Sequence, residues 1–124
     1  MVELTAYEVV LSSAAKLFML SLGSREERSA LAVCLREELD DGPNAGSAHR
    51  LDSDCLDDGH ERIALPLSFN AIVAIYRSMT RYELEQLGKE KDREVARSGY
   101  LVFDLLPPEL GFYKLAKKTT HRHP

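Results

Sequence analysis

The chain has 124 residues, 44% hydrophobic and 29% charged, the size of one domain with a single modest core. Its net charge of −4 argues against a general nucleic-acid binder. No apolar run approaches a membrane span, and the opening MVELTAYE carries acids where a secretory signal carries Lys or Arg, so a cytoplasmic protein without membrane attachment is expected.

TAYEVVLS (5–12) has the β-branched and aromatic content of a strand, with Tyr7, Val9 and Leu11 on one face. Ser12 or Ser13 then caps a short helix in which Ala14, Leu17, Phe18 and Leu22 fall at helical spacing, with Gly23 placed for a left-handed C-cap. Ser24 and Glu27 form a capping box for a second helix, whose buried stripe is Leu31, Cys34, Leu35 and Leu39 and which Gly42-Pro43 stops. Together they predict a helical hairpin.

Residues 43–60 are rich in Asp, Ser and Gly and read as a loop. RIALPLS follows as a strand with Ile63, Leu65 and Leu67 inward, and Pro66 marks a local edge or bulge. Ser68-Phe69-Asn70 turns, and AIVAIYRS returns as a near-continuous apolar strand suited to a central position. Thr80 and Glu83 form a second capping box, so 80–98 reads as a solvent-facing helix or an extended arm, with Leu84, Leu87 and Val95 as a thin stripe that Gly88 weakens. YLVFDLL (100–106) is the last strand, and ELGFYKLAKK can add one helical turn after Pro107-Pro108. The order predicts an α+β fold: an N-terminal strand, a helical hairpin, and a small, mostly antiparallel sheet with an inserted helix or arm.

Charge is unevenly distributed. Between Arg36 and Glu61 there are nine acids and two bases, whereas Gly111–Pro124 is a basic tail with Lys114, Lys117, Lys118 and Arg122 and no acid. The asymmetry fits a self-complementary surface, hence a homodimer, or two different partners, and equally a solvated loop beside a frayed end. The tail could follow an RNA backbone. No metal or cofactor is expected: His121 and His123 lack a second ligand pair, and DSDCLDDGHE lacks the residue order of a calcium loop. Cys34 and Cys55 read as reduced thiols, with one disulfide as the alternative.

YEVVLSSAAKLFMLSLG, the helix ending in LREELDDGP, the short HRL (49–51) and the hairpin RIALPLSFNAIVAIYRS together resemble the RelE/ParE superfamily of bacterial type II toxins. The resemblance spans most of residues 5–79 and, more loosely, YLVFDLL. It implies one compact domain over 1–124, held by a cognate antitoxin protein. RelE-like members cut messenger RNA on the ribosome, and ParE-like members inhibit DNA gyrase. Cleaving members use cations on the sheet and a C-terminal Tyr or His, because a pentavalent phosphate needs cationic donors and the leaving oxygen a proton.

Carried onto this chain, the resemblance makes Arg62 and Tyr113 the catalytic candidates and Arg50, Arg77, Lys114, Lys117 and Lys118 the RNA-contacting ones. Ala64 and Ala71 stand where cleaving members carry cations, and Pro107, Pro108 and Glu109 where a further arginine is implied. Two functions are thus open: a ribosome-dependent endoribonuclease toxin, or a catalytically degenerate interaction module of the same fold.

Overall fold

The computed structural model describes residues 7–51 and 60–110. Strand β1 (Glu8–Leu11) leads into helices α1 (Ser13–Leu20) and α2 (Arg25–Glu38). A 3-10 turn at Gly42–Asn44, strands β2 (His49–Leu51), β3 (Arg62–Pro66) and β4 (Val73–Ser78), helix α3 (Arg81–Glu90) and strand β5 (Gly99–Leu106) complete the order. The five strands form one sheet in the order β1-β5-β4-β3-β2, antiparallel except for the parallel β1–β5 pair. The α+β architecture is the one expected, and β4 takes the central position its apolar run suggested. Among the described residues no helix is long and apolar enough to cross a membrane.

Several local expectations are corrected. Of the two serines open as the cap of α1, Ser12 takes the role: its hydroxyl accepts from the Ala15 amide at 3.0 Å. The buried face of α1 is rotated from the expected one. Ala15 is buried and Phe18, Met19 and Leu22 pack on the core, while Ala14 and Leu17 face outward. The register of a two-turn helix is set by where the strand before it delivers the chain, which spacing alone does not disclose. Gly23 is not a left-handed cap: α1 ends at Leu20, where the Ser21 amide is shared between Leu17 and Phe18 carbonyls and tightens the last turn. The loop 43–60 contains β2, a three-residue edge strand pairing with Arg62–Ala64. Pro66 lies beyond the reach of β2; the Leu67 amide bonds Ile72 on the β4 side, so the missing donor at 66 faces the unpaired edge.

α2 is fixed to the sheet at its C-terminal end. The stripe Leu31, Cys34, Leu35 and Leu39 is buried as expected. Tyr7, Tyr76 and Tyr100 rise from the position before β1, from β4 and from β5 respectively to meet it. Their rings stack edge to face, Tyr7 on Tyr100 at 5.1 Å and Tyr76 on Tyr100 at 5.6 Å. Their hydroxyls donate in turn to the Leu35 carbonyl (3.1 Å), the Leu39 carbonyl (2.9 Å) and the Asp40 carboxylate (2.6 Å). Burial pushes all three phenols above their ordinary pKa, which keeps them protonated and donating. Gly42 makes room for the Tyr76 contact, since a Cβ there would lie 2.0 Å from the Tyr76 hydroxyl and 2.8 Å from Leu65 Cδ2.

Glu38 fastens the same helix end to the β3–β4 turn, accepting from the Ser68 amide (2.9 Å), the Ser68 hydroxyl and the Cys34 thiol (3.0 Å). Burial opposes its charge, yet these donors outweigh burial and lower its pKa, while burial, aided by Glu38, raises that of Cys34. Cys34 is a free, buried, protonated thiol; Cys55 lies outside the described residues. The turn continues to Ala71, and Asn70 and Ala71 both adopt left-handed backbone (φ 54° and 53°), so β4 starts later than its apolar run suggested. Asn adopts this conformation readily, whereas at Ala71 the Cβ crowds the following carbonyl at a cost of about 1–2 kcal/mol.

Two stability measurements test this account. Tyr76→Phe is expected to cost about 1 kcal/mol in denaturant unfolding, the net worth of one hydrogen bond, because the Leu39 carbonyl keeps the Gly42 amide as a partner. Gly42→Ala should cost more, and the double variant should be more stable than Gly42→Ala alone, because the nearest clashing atom is gone. Ala71→Gly should stabilise the chain by roughly 1 kcal/mol by relieving the left-handed alanine.

Candidate functional site

The sheet face opposite α1 and α2 carries the two arginines of the central hairpin. Side chains alternate along each strand, and Ile63, Leu65, Ala74 and Tyr76 point to the helices. Arg62, Ala64, Val73, Ile75 and Arg77 therefore point the other way, and Ala64, Val73 and Ile75 form a second, smaller apolar cluster with Leu51 and Leu106 packed against it. The Ile63–Tyr76 pairing puts Arg62 and Arg77 opposite each other one step further along. Two facing cations on adjacent strands repel, and the surroundings must offset that.

A bulge in β5 supplies part of the answer. Ile75 pairs with Asp104 and Tyr76 with Val102, which leaves Phe103 as an extra residue. Its carbonyl, released from the ladder, accepts from the Ser12 hydroxyl at 2.7 Å. Its ring lies beneath both arginines, with the Arg62 guanidinium carbon 3.6 Å and that of Arg77 5.8 Å from the centroid. Asp104, opposite Ile75, adds a carboxylate to the same face.

Glu83 supplies the rest. It comes from the first turn of α3, where Thr80 is the N-cap and the capping box is complete in both directions. The same carboxylate takes Arg77 in a fork, at 2.9 and 2.8 Å. Arg77 also donates to the Ser78 carbonyl at 3.0 Å, and its side chain is only 7% exposed. The Arg77 guanidinium holds the Glu83 pKa down at about 2.

The expected site residues thus part company. Arg62 and Arg77 are brought together on one face, with Arg77 buried and engaged by Glu83. Arg50 lies on the edge strand β2 in an exposed pair with Glu61 at 2.8 Å, where screening leaves little net energy. Ala64 is fully buried, and Ala71 sits at the exposed turn. Tyr113, Lys114, Lys117 and Lys118 lie outside the described residues. Sequence reading missed Glu83 and Phe103 as members of this site. Glu83 was already accounted for by the capping box, and a bulge has no signature in YLVFDLL. Among the described residues no cluster of His, Cys, Asp and Glu could hold a metal ion. Compared with family models, curated proteins and solved structures, the chain finds no match.

The depressed Glu83 pKa fixes a pH dependence. A Glu with an ordinary value of 4.5 that is held near 2 in the fold stabilises it fully above pH 4.5 and progressively less as pH falls toward 2. The loss amounts to at most about 3 kcal/mol. Denaturant unfolding at pH 6 and pH 3 should show a smaller acid-induced loss for Glu83→Gln than for the native chain.

Proposed function

We propose that the chain is a RelE/ParE-like interaction module that acts by binding a small partner protein and does not cleave RNA. The order of strand, helical hairpin and sheet with an inserted helix supports the resemblance. The observation that carries the non-cleaving reading is the engagement of Arg77 by Glu83. Phosphoryl transfer at a ribose needs several cations facing a crowded phosphate. Here one of the two arginines on the face already has a bidentate internal carboxylate, and the neighbouring position on β3 is the buried Ala64.

Electrostatics favour the same reading. A chain of net charge −4 repels a phosphate backbone at long range. The partner, by the resemblance, is a small antitoxin-type protein encoded beside this one. It binds through an amphipathic segment, the usual way a small protein covers apolar surface.

A translation-coupled assay tests this. With ribosomes and a reporter messenger RNA, the purified chain should neither cut the message nor slow translation, while forming a stoichiometric complex with the product of the adjacent small reading frame. Discrete cleavage that is lost in Arg62→Ala would establish the toxin reading instead.

A further inference from the structure

Helix α3 and the segment returning from it to β5 lie over one end of the arginine-bearing face and are tied to the sheet by two ion pairs. One tether runs from sheet to helix, Arg77 to Glu83. A second runs the opposite way, from Glu8 on β1 to Arg93 after the helix. The apolar anchor between them is small. Leu84 is buried, whereas Tyr82 is 69% and Val95 39% exposed.

The seat for Leu84 is made by an absence. Gly99 opens β5 beneath it, and a Cβ there would meet Met79 Sδ at 2.7 Å, Leu84 Cδ2 at 3.1 Å and the Glu8 carbonyl at 3.2 Å. Beyond the helix, the Arg93 amide bonds the Gly88 carbonyl, and Gly88 lets Arg93 and Val95 fold back against it. The segment is thereby a closed unit with its own caps. An element with few buried apolar contacts, tied down at both ends by ion pairs, opens at lower free energy than the sheet it covers.

We propose that residues 80–98 form a strap that opens as a unit while the sheet stays folded, and that this opening uncovers Arg77. Closed, the strap neutralises Arg77 with Glu83 and hides it; open, it presents Arg62 and Arg77 side by side around Phe103. Glu83 is therefore the latch, and Arg93 a second, weaker one. The capping box survives substitution of Glu83 by Gln, which accepts the same backbone bond, so the helix can persist while undocked. The inference concerns the free protein and does not depend on which partner it binds.

Native-state hydrogen exchange on the full chain tests the strap, with Glu83→Gln and Arg93→Gln as separate variants. In the native chain the α3 amides should exchange faster than those of the β4–β5 ladder. Glu83→Gln should accelerate α3 exchange at least tenfold and Arg93→Gln by a smaller factor, with ladder amides changing less than twofold. Labelling by phenylglyoxal, read by peptide mass spectrometry, should accelerate in parallel at Arg77 and not at Arg62. If α3 and ladder amides respond together in either variant, or Arg77 labelling does not follow α3 opening, the strap is ruled out.

Discussion

The fold turns on three phenol hydroxyls at the end of one helix. Helix ends leave carbonyls whose intrahelical partners are missing or shared, and burying such an end needs donors from elsewhere. In this chain the donors come from the sheet. Tyr7, Tyr76 and Tyr100 stack on one another and each reaches a separate acceptor over Leu35–Asp40. The arrangement sets the distance and the angle between layers, because a tyrosine ring is rigid and its hydroxyl lies at a fixed reach. It also explains why the chain narrows to Gly42 just beyond the helix, where no side chain fits under Tyr76.

The opposite face follows a different logic, in which charge is placed before it is used. Facing arginines would destabilise a bare sheet, and three features absorb them: the ring of Phe103, the fork of Glu83 and the nearby carboxylate of Asp104. Phe103 is available only because β5 bulges at that residue, and the bulge is held open by Ser12 from the start of α1. The two faces of the sheet are thus coupled through one residue of β5, whose backbone is bound on the helix side and whose ring serves the arginines.

Most of the layer structure is legible in the sequence, because it rests on local patterns. The stripe Leu31, Cys34, Leu35 and Leu39, the Ser24 N-cap, the full capping box of Thr80 and Glu83 and the apolar run of β4 each have a short-range signature that the packed structure obeys. Glu27, however, bonds the Ser24 hydroxyl and does not close the first box on the Ser24 amide. The failures share a cause. β2 is a strand only because Arg62–Ala64 offers it a ladder, and its three residues carry no pattern of their own. The outward turn of Leu17 depends on the direction in which β1 hands over the chain. Glu83 illustrates the limit for the site: its capping role is written four residues deep, while its pairing with Arg77 depends on how α3 settles back over the sheet. Arg62 and Arg77 could be found as isolated cations, but that they face each other is a matter of register.

The parallel pairing of β1 with β5 has a consequence for how the chain comes together in time. Ser12 and Phe103 are 91 residues apart, yet the first helix takes its cap from a residue bonded to that late carbonyl. Closing so long a loop costs entropy before any contact repays it, and contacts between distant residues slow folding. A nascent chain emerging from the ribosome can form α1, α2 and the β3–β4 hairpin early, but Tyr100 and the edge for β1 arrive only with the last strand. Until then neither Tyr7 nor Tyr76 has the ring it stacks on, and the N-terminal strand has no neighbour. The sheet is therefore complete only once β5 has been made: a chain cut short before Gly99 holds α1, α2, α3 and the β3–β4 hairpin, with α2 fastened to that hairpin and no strand to carry β1.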